Sequence, residues 1–374
     1  MLATTQIILR EIRLPLREPF RISSGTTTHR RIALLELRDA DGHRAWSECV
    51  AGERPNYSPE TIDTAWLAIR EWLAPRVLEH EFAEPARVAP ALADGIRGHR
   101  MAKAAVEMGM WALAAEREGL PLSVRLGGTR EHIETGISLG IQPTPAALAE
   151  KVREALAAGY RKVKLKIRPG EDLANVQAAR EAAGPEAALA VDANAAYTLA
   201  DADRLAGLDA FDLLMLEQPL EGGDLRRHAE LQARLRTPIC LDESITGPAR
   251  AEDMIALGSG RIVNIKPGRV GGFGPSLAIH ALCREAGVPV WCGGMLESGI
   301  GRAHNVALAS LPGFTLPGDL SPSARYWERD IVTPEWTMDR EGKVRVPRER
   351  PGLGVAVDRD RIDDLTVRRE RLTR

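Results

Sequence analysis

Five charged residues recur at nearly one interval through the middle of the chain: Lys166, Asp192, Glu217, Asp242 and Lys266, separated by 26, 25, 25 and 24 residues. Each closes a short apolar run, and alanine-rich stretches alternate with those runs, the pattern of βα units and a parallel sheet. The runs predict strands near 134–140, 162–167, 187–192, 211–217, 238–242, 261–266, 288–293 and 314–319. Eight such strands predict a closed barrel. The carboxyl ends of barrel strands share one face, so five side chains distant in sequence converge on one mouth. Packing explains the interval but not a charge at the same phase of five consecutive units.

Three carboxylates converging there, Asp192, Glu217 and Asp242, repel one another unless a cation sits between them. Oxygen ligation without His or Cys suits Mg²⁺, with Mn²⁺ or another divalent cation as substitutes, and disfavours zinc. The alternative is that each carboxylate caps a helix or pairs with an arginine. In Val163-Lys164-Leu165-Lys166-Ile167, strand alternation turns Lys164 and Lys166 to one face. On a solvated strand this means little. Here, however, only seven of the 50 Lys and Arg residues are lysine, at 103, 151, 162, 164, 166, 266 and 343. Arginine holds its proton to a pKa above about 12, whereas lysine can be tuned to act as a base. Lys164 and Lys166 then face Lys266 across the mouth, and their mutual repulsion predicts an easily lost proton. A substrate carboxylate on the metal would lie between the lysines, one of which takes its α-proton while the metal stabilises the resulting enediolate. Arg269 is placed to depress the Lys266 pKa, unless it is a surface arginine.

The remaining features are consistent with small-molecule chemistry. A chain of 374 residues with 44% apolar content and a net charge of -2 offers no nucleic-acid footprint. No apolar run approaches the roughly 18 residues of a membrane span, no secretory leader is recognised, and four cysteines without CxxC spacing fit reduced thiols, so a cytoplasmic protein is expected. The amino-terminal third reads as strands over 5–15 and 32–38 around a polar, threonine-rich segment 23–29. Helices follow, one opened by Ser58-Pro59 and running from Thr61 to Trp72, another from Arg100 to Glu118. Strands followed by helices predict a small α+β domain. Its loops around Phe20 and from Gly52 to Tyr57 carry aromatics that could touch a ligand. Beyond residue 327, short strand-like runs flank Glu341-Gly342, and Arg359 to Arg374 reads as a solvated surface segment.

Lys164-Leu-Lys166, Asp192-Ala-Asn194, Glu217-Gln-Pro219, Asp242-Glu-Ser244 and Asn264-Ile-Lys266-Pro-Gly-Arg-Val-Gly-Gly272 together resemble the muconate-lactonising-enzyme subgroup of the enolase superfamily. Gly293-Gly294-Met295-Leu-Glu-Ser-Gly-Ile-Gly301 and Pro317-Gly-Asp-Leu-Ser321 are most similar to the o-succinylbenzoate synthase and N-acylamino acid (N-succinylamino acid) racemase family. The resemblance covers essentially the whole chain. It implies an α/β fold: a modified (β/α)7β TIM-type barrel over 126–320, an α+β capping domain over 1–125, and a carboxyl-terminal segment, 321–374, returning to the cap. It also implies Mg²⁺, a homo-oligomer and a small-molecule carboxylate substrate. Lys166 and Lys266 become the acid/base pair, Lys164 the contact to the substrate carboxylate, and Asp192, Glu217 and Asp242 the metal ligands. Ser138, Asn194, Gly293, Gly294 and Met295 become pocket residues, with Phe20 and Tyr57 closing over the substrate and small residues at 293 and 294 admitting its acyl chain. A synthase of this kind belongs to menaquinone biosynthesis.

Neighbouring activities are separated by single features. Sugar-acid dehydratases of the superfamily use a histidine on the seventh strand, where this chain has Trp291-Cys292-Gly293. Dipeptide epimerases carry two aspartates after the eighth strand, and Asp319-Leu-Ser321 supplies one. A muconate cycloisomerase or dipeptide epimerase remains an alternative reading, and a non-catalytic metal-binding barrel a remote one.

Overall fold

The computed structural model describes residues 1–22 and 25–374. Strands β1 (Gln6–Ile22) and β2 (Gly25–Arg38) form a long antiparallel pair, and β3 (Arg44–Cys49) joins β2 through a turn at Asp41-Gly42. The pair is buried along Ile7–Ile12 and Ile32–Leu37 and projects outward beyond that core. Residues 25–29, expected as loop, are therefore strand, because β-branched Thr26, Thr27 and Thr28 suit a pleated, half-exposed edge. Residues 23 and 24 of that segment lie outside the described residues.

Helix α1 (Ile62–Ala68) begins later than Ser58-Pro59 predicts. Its cap is Thr61, whose hydroxyl accepts from the Thr64 amide at 3.2 Å while the Thr64 hydroxyl accepts from the Thr61 amide at 2.9 Å. Ser58 instead accepts from the Glu60 amide. Helix α2 (Arg100–Glu118) has the predicted span and lies close on the sheet. Gly109 permits that approach, since a Cβ there would fall 2.6 Å from Leu37 and 2.9 Å from the Ser47 hydroxyl.

The middle of the chain is a parallel sheet in sequence order: β4 (Gly136–Leu139), β5 (Lys162–Lys166), β6 (Leu189–Asp192), β7 (Met215–Glu217), β8 (Ile239–Leu241), β9 (Ile262–Ile265) and β10 (Val290–Cys292). Outside it run α3 (Pro145–Ala157), α4 (Asp172–Ala183), α5 (Leu225–Gln232), α6 (Pro248–Leu257), α7 (Phe273–Glu285) and α8 (Gly299–Ala309). Short helical turns over 199–211 connect β6 to β7.

The eighth strand expected at 314–319 is not a strand. Single bridges, Val290 to Phe314 and Thr135 to Gly318, close the barrel there, helped by the Gly136 amide to the Gly318 carbonyl at 2.6 Å and the Asp319 amide to the Cys292 carbonyl at 3.0 Å. Pro317 lacks the N–H that a ladder needs, so this segment pairs only at points.

Alternation sorts the strand residues. Ala190, Met215, Cys240, Ile262 and Trp291 form a small core inside the barrel, and Lys162 lies fully buried on the Trp291 ring, 3.5 Å from its centroid. Two residues further along β6, β7 and β8 the same inward phase brings Asp192, Glu217 and Asp242 to the mouth. Leu165, Val191, Leu216, Leu241 and Ile265 take the opposite phase and join the main core.

The tail corrects a second expectation. Residues 359–373 form a helix (Arg359–Leu365) and strand β11 (Thr366–Thr373), which pairs antiparallel with β1 as an edge of the cap sheet. Its side chains are largely exposed and charged while its backbone does the pairing, so no apolar alternation marked it. Lys343–Arg345 pairs with His132–Glu134.

Two buried carboxylates of the cap dock it on the barrel. Glu48 of β3 accepts from the Ser298 amide at 3.1 Å and hydroxyl at 2.6 Å and from the Gly301 amide at 3.1 Å, at the start of α8. Glu107 of α2 accepts from the Phe273 and Gly274 amides, both at 2.8 Å, at the start of α7, and from the Trp111 indole. Helix amino termini favour such anions. Burial nevertheless pushes the Glu107 carboxyl up to about 7, against the pull of those donors. A carboxyl raised in the folded state adds stability below its ordinary pKa and loses that contribution as the pH climbs through the raised value. Glu107→Gln should therefore flatten the fall in stability between pH 4.5 and about 7, measured as urea midpoints; an unaltered slope would contradict this account.

Candidate active site

The mouth of the barrel is a layer of paired charges. Lys164 Nζ donates to Glu217 Oε2 at 2.7 Å and to Asp319 Oδ2 at 2.6 Å, and lies 3.5 Å from Asp192 Oδ2. Lys166 Nζ meets Asp192 Oδ2 at 2.6 Å and Asn194 Oδ1 at 2.7 Å. Lys266, immediately after β9, donates to Asp242 Oδ2 at 2.7 Å and to the Tyr57 hydroxyl at 3.3 Å. That hydroxyl donates to Asp242 Oδ1 at 2.8 Å. Asn264 donates to Glu217 Oε1 at 2.7 Å.

Burial and charge compete throughout this layer. Burial lowers the Lys266 pKa, but Asp242, Tyr57 and Glu217 together outweigh it and the net direction is upward. Lys164 is likewise raised well above its usual value, burial being overcome by Asp319 and Glu217. Burial opposes ionisation of Asp242, yet Lys266 and Arg269 hold that carboxyl well below the usual range. Glu217 is pushed up to about 7 by burial and by Asp192, against Lys164. Two expectations are corrected here. Lysine repulsion does not loosen the Lys164 proton, because carboxylates surround it. Arg269 is not a surface group: it is buried, pairs with Asp242 itself, and donates to the Ile245 and Asn264 carbonyls at 2.8 and 2.5 Å.

A cavity of about 290 Å³ lies between cap and barrel. Phe20, on β1, and Tyr57, in the loop after β3, line it from the cap, and Lys166, Asn194, Lys266, Gly294 and Met295 line it from the barrel. Lys164, Asp192, Glu217, Asp242 and Arg269 lie behind that lining. Ser138 is buried opposite Lys164 in register, its hydroxyl unpartnered, and also stays behind it. Gly293 makes room for the protein's own groups: a Cβ would overlap the Asn264 amide and reach 2.7 Å from Lys266 Cε. At Gly294 a Cβ would fall 2.7 Å from the Asp319 carbonyl oxygen. Asn194, Gln218 and Leu296, just past β6, β7 and β10, have φ of 44°, 38° and 58°, so backbone strain collects at this face.

Four participants carry no site role in the sequence analysis above. Asp319 salt-bridges both Lys162, at 3.3 Å, and Lys164; Asn264 holds Glu217; and Glu243 is a further acid whose carboxyl burial pushes up to about 8, with Asp242 and Asp192 adding to the push. Lys162 shares the inward phase of Lys164 and Lys166, and Asn264 that of Ile262, which is a usable signal; Asp319 and Glu243 fall in segments whose alternation says nothing about their aim.

The donor set fits a hard divalent cation. It is made of oxygens, Glu243 Oε2 and Asn264 Oδ1 are buried without a partner, and the Lys164 ammonium spans Glu217 and Asp192 as a cation would. The three strand-end carboxylates are each drawn onto lysines and do not close to ligand spacing. Among the described residues that spacing occurs only at Asp39, Asp41 and His43 on the β2–β3 turn, where Arg117 already pairs with Asp39 at 3.1 Å.

Comparison with known proteins bears on the whole chain. The family description "Mandelate racemase / muconate lactonizing enzyme, N-terminal domain" matches residues 4–127, and "Enolase C-terminal domain-like" matches residues 147–361. An o-succinylbenzoate synthase from Geobacillus stearothermophilus is 48% identical over 360 residues, covering 96% of this chain and 95% of that protein. An N-succinylamino acid racemase from an Amycolatopsis species is 47% identical over 359 residues, covering 96% of each. The crystal structure of an enolase-superfamily member from Listeria innocua superposes with a TM-score of 0.96 at 38% identity and covers 100% of both chains.

The packing at Gly293 yields a direct test. Gly293→Ala should lower stability by about 1–3 kcal/mol through overpacking, read by urea denaturation, because the buried Asn264 amide, bonded to Glu217, would have to shift.

Proposed function

The chain belongs to the mandelate racemase and muconate lactonizing enzyme family of the enolase superfamily, and on that premise we propose that it removes the proton α to a carboxylate in an N-succinylamino acid, in the o-succinylbenzoate precursor, or in both. The carrying observation is that Lys166 and Lys266, from β5 and just after β9, line one cavity from opposite walls. Proton transfer at one carbon from two sides inverts it, which is racemisation. In the synthase reaction Lys166 takes the α-proton and returns it to the departing hydroxide, which leaves as water, while Lys266 stays protonated beside the anion.

Lys164 steadies the substrate carboxylate, and Tyr57 and Phe20 lie over the site and limit water. Asp192, Glu217 and Asp242 would hold Mg²⁺ or a similar cation, with Arg269 modulating Asp242. When bound, that cation supplies stabilisation for the charge that builds on the substrate carboxylate. Asn194 orients Lys166, and Ser138, Gly293, Gly294 and Met295 shape the pocket. We also read the protein as a cytoplasmic homo-oligomer; its four cysteines are free and buried, and no helix among the described residues is long and apolar enough to cross a membrane.

In ²H₂O with Mg²⁺, the enzyme should exchange the α-proton of N-succinyl amino acids, observed by proton NMR. Lys266→Ala should abolish racemisation and lower exchange from one enantiomer by at least about 100-fold, as expected for loss of a general acid/base. An unchanged rate in that variant would sink the two-lysine reading. Dehydration of the o-succinylbenzoate precursor, followed by ultraviolet absorbance, reports the synthase separately. Chelation should abolish both activities and added Mg²⁺ restore them; activity that survives chelation would remove the cation from the mechanism.

A further inference from the structure

Arg30, on β2, is a guanidinium that no carboxylate among the described residues pairs with. It is 8% exposed and lines the cavity that Lys166 and Lys266 enter. One of its terminal nitrogens donates to the Val50 carbonyl at 3.0 Å, its Nε has no partner, and among the described residues it forms no ion pair. The neighbouring cations of the cap are differently placed. Arg31 is spent on Glu11 and Asp63, and His29 on Glu53.

Neither of the acids that act most on Arg30 forms an ion pair with it: Glu48 accepts from the start of α8, and Glu297 accepts through Oε1 from the Met295 amide and the Asn305 side chain, both at 2.8 Å, with its Oε2 buried and unpartnered. Burial lowers the Arg30 pKa despite both of them. A buried guanidinium left this way is costly, and its planar fork of unspent donors matches a carboxylate.

We propose that Arg30 binds a second, distal carboxylate, so that this site takes dicarboxylates and discriminates against neutral acyl groups. This rests on the function proposed above, in which Lys164 steadies the α-carboxylate; the far end of a succinyl group carries the second charge. Arg30 stands on the cap and the lysines on the barrel, so a dicarboxylate would be held at one end by each domain.

The test compares N-succinylphenylalanine with its terminal carboxamide, equal in shape and lacking the distal charge, on the Mg²⁺-supplemented enzyme. Calorimetric binding should favour the acid by about 100-fold, as for a site whose buried donors are left unpaired by the wrong ligand. In Arg30→Gln that ratio should fall below about threefold, with Arg30→Lys intermediate. The wild-type comparison needs no variant and so survives a folding defect in either. Equal binding of acid and amide by the wild type, or equal weakening of both in Arg30→Gln, overturns the assignment. Isotope exchange on the same samples reports the activity independently. Acid-selective, Arg30-dependent binding without exchange would retire the proposed reaction and leave Arg30 in place.

Discussion

The structure depends on the neutralisation of buried charge at one end of a barrel. Asp192, Glu217, Asp242 and Asp319 are buried, and each is in contact with Lys162, Lys164, Lys166 or Lys266. Breaking one such pair typically costs about 3–5 kcal/mol, because the partner left behind has no water to turn to. The layer is therefore a unit, and it shares anions: Lys164 serves three carboxylates, and Asp242 serves Lys266, Arg269 and Tyr57. Such sharing permits redistribution when a substrate carboxylate or a cation enters.

The cap completes the site by the same physics at longer range. Glu48 and Glu107 reach the starts of α8 and α7, two helices that follow the strands bearing the Lys266 wall and the Gly293 corner. The docking that fixes the cap therefore also fixes Tyr57 over Asp242 and places Arg30 in the cavity wall. Strain at Asn194, Gln218 and Leu296 is tolerated because this interface and the barrel beneath it over-determine their positions.

Much of this was legible in the residues. A charged residue every 24 to 26 positions located the strand ends, and strict alternation turned Lys164 and Lys166 inward. The span of α2 follows from its uninterrupted composition. The failures have local causes. Pro317 forbids a regular eighth strand; β11 pairs through its backbone while showing charges to solvent; and Thr61 outcompetes Ser58 as a cap because Thr64 can answer it.

The sequence by itself determined the barrel, its period, the inward face of each strand and the residue types gathered at the mouth, since all of these follow from spacing and alternation. Only the tertiary structure decided which charges touch. Asp242 draws the Lys266 pKa upward, Arg269 reaches that same carboxylate, Asp319 returns from the barrel seam to Lys162 and Lys164, and Arg30 forms no ion pair among the described residues. The physical reason is that alternation fixes a side chain's face, whereas pKa direction and ion pairing depend on burial and on groups supplied by distant segments.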